Sequence, residues 1–155
     1  MPFYYHAANT HTTAAGAATQ TLAARATTGA TKGASISRLI AGAKGAAQDN
    51  QVLWQAWKPT TVATVGTTVA AEKSDQGAPA AVTVFATGPT VGVKGANPVV
   101  QLPFNSRAMV QWVALNPDEA LTAAAGGAAA GDMSFYDEQA AGVAVAIVYQ
   151  ITWYE

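Results

Sequence analysis

Residues 142–154 constrain the fold of this chain more than any other segment. Their sequence, GVAVAIVYQITWY, alternates Val143, Val145, Ile147, Tyr149, Ile151 and Trp153 with Ala144, Ala146, Val148, Gln150, Thr152 and Tyr154. A period of two is the spacing of a β-strand, whose successive side chains point to opposite faces of a sheet. One face here is bulky and apolar, and the other is small or mixed. A strand of that kind is stable inside a sheet whose bulky face is covered by a second layer. The spacing therefore predicts an all-β chain.

The alternation recurs elsewhere. Residues 34–41 (ASISRLIA) set Ile36, Arg38 and Ile40 against Ser37, Leu39 and Ala41. Residues 51–58 (QVLWQAWK) set Val52, Trp54 and Ala56 against Leu53, Gln55 and Trp57, and Pro59 ends them because proline has no N–H for a ladder. Further strands are expected at 20–26, weakly at 62–70, at 81–87, at 99–104 as an edge strand interrupted by Pro103, at 107–115 as a core strand, and at 120–121. Residues 72–79 read as a loop. So does the Ala/Gly run 122–131, because Gly126 and Gly127 would each cost about 1 kcal/mol against alanine in a helix interior. Residues 132–141 read as a polar, exposed stretch.

Short strands separated by glycine and proline turns, with no helix of convincing length, predict a jelly-roll-like β-sandwich of about eight strands. Residues 20–155 make one domain of a size that suits a single core. Residues 1–19 read as an extended N-terminal arm that opens on Phe3, Tyr4 and Tyr5.

Charge excludes several function classes. Charged residues are 11% of the chain and the net charge is −1, against about 25% charged residues in ordinary soluble proteins. With no basic stripe, no nucleic-acid partner is expected. With no polybasic or amphipathic helix, no membrane surface is expected. Cysteine is absent, which removes disulfides, thiol catalysis and zinc–thiolate sites. The opening residues MPFYYH lack the basic and apolar regions of a signal peptide. The near-apolar run 140–149 is shorter than the roughly 20 residues a membrane helix needs. The expectation is a chain made in a cytoplasm that stays soluble. Its charge-poor surface has two readings: many small residues facing solvent, or a surface covered by neighbouring subunits.

Chemistry-bearing groups are sparse. His6 and His11 lie in the expected arm without a third ligand or an HExxH motif, so packing or solvated histidines are expected and no metal. Asp118-Glu119 follows Asn116-Pro117 and reads as turn chemistry. Asp137-Glu138 reads as a solvated loop pair. Adjacent carboxylates on a strand point to opposite faces, so neither pair forms a dyad by spacing alone. No Gly-x-Ser-x-Gly elbow occurs, and a serine triad would have to recruit a histidine of the arm. No phosphate loop is present. The chain is therefore not expected to be an enzyme, and no cofactor is expected.

Trp54, Trp57, Trp112 and Trp153 read first as core residues. Because Trp54 and Trp57 alternate in direction, one of them is a candidate for an outer face or a subunit contact. Arg38 and Arg107 lie in or beside apolar strands, as rim charges or as interface arginines.

The succession ASISRLIAGAKG, LWQAWKPTTVATVGTTVAAEKSDQGAPAA, NSRAMVQWVALNPDEALT and VAVAIVYQITWYE resembles small β-sandwich virion proteins of tailed bacteriophages, over roughly residues 34–155. The resemblance implies a head decoration, or cement, protein: a homotrimer on the capsid surface that bridges major capsid protein subunits, with no catalytic residue. The aromatic arm and the loop at 122–131 depart from that pattern. On this reading Phe3, Tyr4, Tyr5, Trp57 and Arg38 are the candidate interface residues, and removing residues 1–15 is expected to weaken shell binding while leaving the sandwich folded. Two rival expectations are a tail or fibre module that stacks glycans on Trp54 or Trp57, and a subunit of a bacterial surface filament.

Overall fold

The computed structural model describes residues 2–13, 19–27, 32–44, 49–61, 67–87, 95–125, 133–139 and 144–155. Its strands are β1 (Tyr4–Thr12), β2 (Thr19–Thr27), β3 (Ala34–Lys44), β4 (Gln51–Trp57), β5 (Thr67–Val69), β6 (Glu72–Lys73), β7 (Val84–Thr87), β8 (Val100–Asn105), β9 (Met109–Val113), β10 (Leu121–Ala123), β11 (Met133–Gln139) and β12 (Ala146–Tyr154). Among the described residues the one helical element is a 3₁₀ turn, Pro117–Glu119. The expectation of an all-β chain holds.

The strands form two antiparallel sheets. Sheet A runs β10-β3-β12-β1-β6, with β9 also on β3, and sheet B runs β5-β7-β2-β11-β4-β8. β9 and β10 pair with consecutive stretches of β3 and act as one interrupted strand. Counted that way, and leaving out β5 to β7, eight strands remain. Sheet A then carries the first, eighth, third and sixth, and sheet B the second, seventh, fourth and fifth. That is the interleaved order of a jelly roll, two Greek keys folded into two layers. The connection from β4 to β8 holds β5, β6 and β7, which lengthens both sheets: β6 joins β1, while β7 joins β2 and β5 joins β7.

The closing strand behaves as its alternation predicts. Ile147, Tyr149, Ile151 and Trp153 are buried, and β12 lies between β1 and β3. The core between the layers is a continuous chain of rings. Tyr5 stacks on Trp153 (5.8 Å), Trp153 meets Phe85 (4.7 Å), Phe85 meets Phe135 (6.2 Å), and Phe135 stacks on Trp54, which also meets Tyr149. Trp153, Tyr5 and Tyr149 come from sheet A, and the other three from sheet B, so the rings tie the layers together. Each contact adds about 0.5–1.5 kcal/mol beyond the buried area. Burial, with the Glu155 carboxylate second, raises the Tyr5 hydroxyl above its ordinary range, and burial alone raises that of Tyr149.

Several expectations are corrected. The segment read as an extended arm, with at most a short edge strand, is β1, which pairs with β12 over nine residues and with β6 over two. Tyr5 and Ala7 of β1 are core residues, so removing residues 1–15 would remove a strand of the sandwich. Residues 132–141 were expected to be polar and exposed, yet β11 is an interior strand between β2 and β4, with Phe135, Tyr136 and Asp137 fully buried. The expected core strand at 107–115 is β9, which has Met109, Gln111 and Val113 exposed.

The faces of β3 also differ from a strict alternation. Thr152 pairs with Arg38 but Trp153 pairs with Ile36, leaving Ser37 as an extra residue. This bulge switches the parity. Ile36 is buried before it, and Leu39 and Ala41 are buried after it. The Ser37 carbonyl accepts the Ala114 N–H just where β9 ends. Pro103 does lie in an edge strand: β8 closes one side of sheet B, where a missing N–H costs no ladder bond.

Candidate functional site

The outer face of sheet A is built in three rows by strand register. His6, Thr152, Arg38 and Val113 form the first, Ala8, Gln150, Ile40 and Gln111 the second, and Thr10, Val148, Gly42 and Met109 the third. The first row is polar apart from Val113, and the others are mostly apolar or amide. Met109 is 69% exposed, Val148 41% and Val113 41%, and Leu115, beyond the end of β9, is 86% exposed. Exposed apolar side chains gathered on one sheet mark an interaction surface more strongly than scattered ones.

A groove of about 510 Å³ runs across this face, lined among others by Ala8, Ile40, Gly42, Met109, Val148 and Gln150. Gly42 forms part of its floor. A side chain there would meet Met109 only at ordinary contact distance, 3.6 Å, so the glycine keeps the floor low without being required by the backbone. Two arginines border the face, and both are engaged. Arg38 Nη2 donates to Gln111 Oε1 at 3.1 Å. Arg107 forms a two-pronged pair with Asp49, through Nε at 2.7 Å and Nη2 at 3.3 Å. The second pair is exposed on both sides and contributes at most about 1 kcal/mol. It does cancel charge at the rim of the groove.

The predicted interface residues separate. Tyr4 is 46% exposed on this face, beside the Tyr154 ring at 5.6 Å. Arg38 is exposed on the same face. Phe3 is half-buried against the core and exchanges backbone hydrogen bonds with Glu155. Tyr5 is a core residue whose hydroxyl donates to the Pro79 carbonyl. Trp57 is buried beside Tyr136, and its indole N–H donates to Gln55 at 3.2 Å. Met109, Val113, Leu115 and Val148 were not anticipated. The alternation of 107–115 was visible, but the absence, among the described residues, of a covering layer over one of its faces was not.

Two polar clusters use the histidines. His11 Nε2 lies 3.2 Å from Asp137 Oδ2, a carboxylate with no exposed surface. The pair spans the two sheets, from β1 to β11, so Asp137 is not the solvated loop charge expected from sequence. His6 Nδ1 lies 3.0 Å from Thr152 Oγ1, and its Nε2 lies 2.6 Å from Ser74 Oγ. Glu155 forms a third cluster. Its carboxylate accepts the backbone N–H groups of Val82 and Thr83 and the indole N–H of Trp153. Burial alone would raise this carboxyl, but those hydrogen bonds outweigh it and hold the group below its ordinary value. Glu119 serves the expected turn, accepting from the Leu115 N–H and the Asn116 amide.

Among the described residues no group of three His, Cys, Asp or Glu is placed to hold a metal, and no helix is long and apolar enough to cross a membrane. No protein-family model, curated protein or solved structure gives a match to this chain.

Proposed function

We propose that this chain is a structural subunit of a virus particle: a head decoration protein of a tailed bacteriophage that binds as a homotrimer between major capsid protein subunits and stabilises the shell. The observation that carries the reading is the outer face of sheet A. It presents Met109, Val113, Val148 and Tyr4 to solvent, and Met109 and Val148 line a groove whose rim arginine, Arg107, is paired with Asp49. Docking such a face releases water from apolar surface and leaves few charges to desolvate. The jelly-roll order, which is also used by capsid domains, adds support by fold analogy only. The rival glycan-stacking reading loses its aromatic platform, because Trp54 and Trp57 are both buried.

A subunit that binds the assembled shell and not its separate parts stabilises the shell by mass action, by about 2.7 kcal/mol per site at 100 times the dissociation constant. The test is co-sedimentation with empty capsids, together with the oligomer size of the isolated chain. Trimers that bind shells, with at least a tenfold loss of binding in Met109→Asp/Val148→Asp, are the expected result. A monomer indifferent to shells ends the proposal, and so does a double variant that binds as tightly as the parent.

A further inference from the structure

A serine–histidine pair in this chain has to draw on His6 or His11, and the fold brings one together. Ser74 follows β6, and β6 is held to β1 by the pairs Tyr5 with Lys73 and His6 with Glu72. The Ser74 N–H donates to the Tyr4 carbonyl, which holds the serine backbone against β1. Each ring nitrogen has a hydroxyl partner, Nδ1 with Thr152 Oγ1 at 3.0 Å and Nε2 with Ser74 Oγ at 2.6 Å. With the ring proton on Nδ1, that N–H donates to Thr152 Oγ1 and the Nε2 lone pair accepts the Ser74 hydroxyl. Thr152 is itself buried and lies directly across the ladder from His6. Nucleophile, base and a third group that orients the base are therefore all in place. Ser74 is exposed, so a reagent can reach it from solvent.

We propose that Ser74 is a base-activated nucleophile and a site of O-acylation by activated acyl donors, with His6 as the base and Thr152 as a positioning residue. In the step, Ser74 Oγ bonds to the acyl carbon while its proton passes to His6 Nε2. The bond from the acyl carbon to the leaving group breaks, and the leaving group takes the proton from the imidazolium. Base assistance of this kind accelerates a reaction by about 10²–10⁴.

The probe is an alkyl fluorophosphonate applied to the folded full chain, with adducts located by peptide mass spectrometry. Ser74 displaces fluoride from phosphorus by the same proton route. The expected result is labelling of Ser74 about 100-fold faster than N-acetylserine amide, with most of that advantage lost in His6→Gln. Thr152→Val slows labelling and Thr152→Ser restores it, a pattern that a merely structural role does not produce. Thermal unfolding checks each variant, and if His6→Gln does not fold, the Thr152 pair decides. Labelling no faster than the free amide overturns the proposal. So does a rate indifferent to His6, or to the Thr152 pair.

Discussion

Replacing His11 by alanine tests how the two layers are held together away from the rings. Asp137 is fully buried, and the His11 side chain is 15% exposed at 3.2 Å from it. Removing one partner of a buried pair costs about 3–5 kcal/mol, because the group left behind has lost its water and not regained it. The slight exposure of His11 lets solvent reach the vacated space, which places the expected loss at the low end, about 3 kcal/mol. For a chain of this length each kcal/mol lowers the melting temperature by roughly 2–4 °C, so His11→Ala should melt about 6–12 °C lower.

Guanidinium unfolding of His11→Ala, Asp137→Asn and the double variant forms a complete cycle. A coupling energy of at least about 1.5 kcal/mol is expected, because residues in contact are not additive. Additive single variants, or a loss below about 1 kcal/mol in His11→Ala, would refute the claim that this contact ties β1 to β11.

Two further outcomes follow from the backbone and from Glu155. A Cβ at Gly33 would lie 2.6 Å from the Ala123 carbonyl oxygen, whereas at Gly42 its nearest neighbour is at 3.6 Å; urea unfolding should show Gly33→Ala losing about 1–3 kcal/mol and Gly42→Ala changing by under about 0.5 kcal/mol. Glu155 is held below its ordinary 4.5 in the folded chain, so its contribution is complete above that value and is lost as pH falls through the lower folded value. Glu155→Gln should cost about 1 kcal/mol at pH 7, a figure discounted for the half-exposed carboxylate, and the difference from the parent should vanish in acid. A difference that grows in acid would contradict the hydrogen bonds drawn for this group.

Much of the fold was legible because burial on one face writes a period of two into the sequence. The faces of β12 and β4 could be read directly, and Pro103 marked an edge. Three features were not legible. The bulge at Ser37 changes parity in mid-strand, and nothing in SISRL announces it. The burial of β11 depends on which strands flank it, and its polar residues Ser134, Asp137 and Glu138 argued for solvent. One partner of Asp137 there is His11, which reaches it from a strand more than a hundred residues away in sequence. The docking face was hidden for a related reason: an apolar alternation looks the same in a core strand and in an exposed one until the neighbouring layer is placed.

The first strand decides which residues can anchor a docked partner. β1 is extended, so Tyr4 and Tyr5 must point to opposite sides of sheet A. Its register with β12 sets Tyr5 opposite Trp153 and Tyr4 opposite Tyr154. A slip of one residue would put Tyr4 and His6 into the core and expel Tyr5 and Ala7, breaking the ring chain at its sheet A end. The same parity that commits Tyr5 to the core therefore commits Tyr4, His6 and Ala8 to the outside, opposite Tyr154, Thr152 and Gln150 of β12. An aromatic triplet at the start of a chain suggests three equivalent anchors. In this fold the alternation leaves one, Tyr4, and the remaining docking energy has to come from side chains more than a hundred residues later, on β9 and β12.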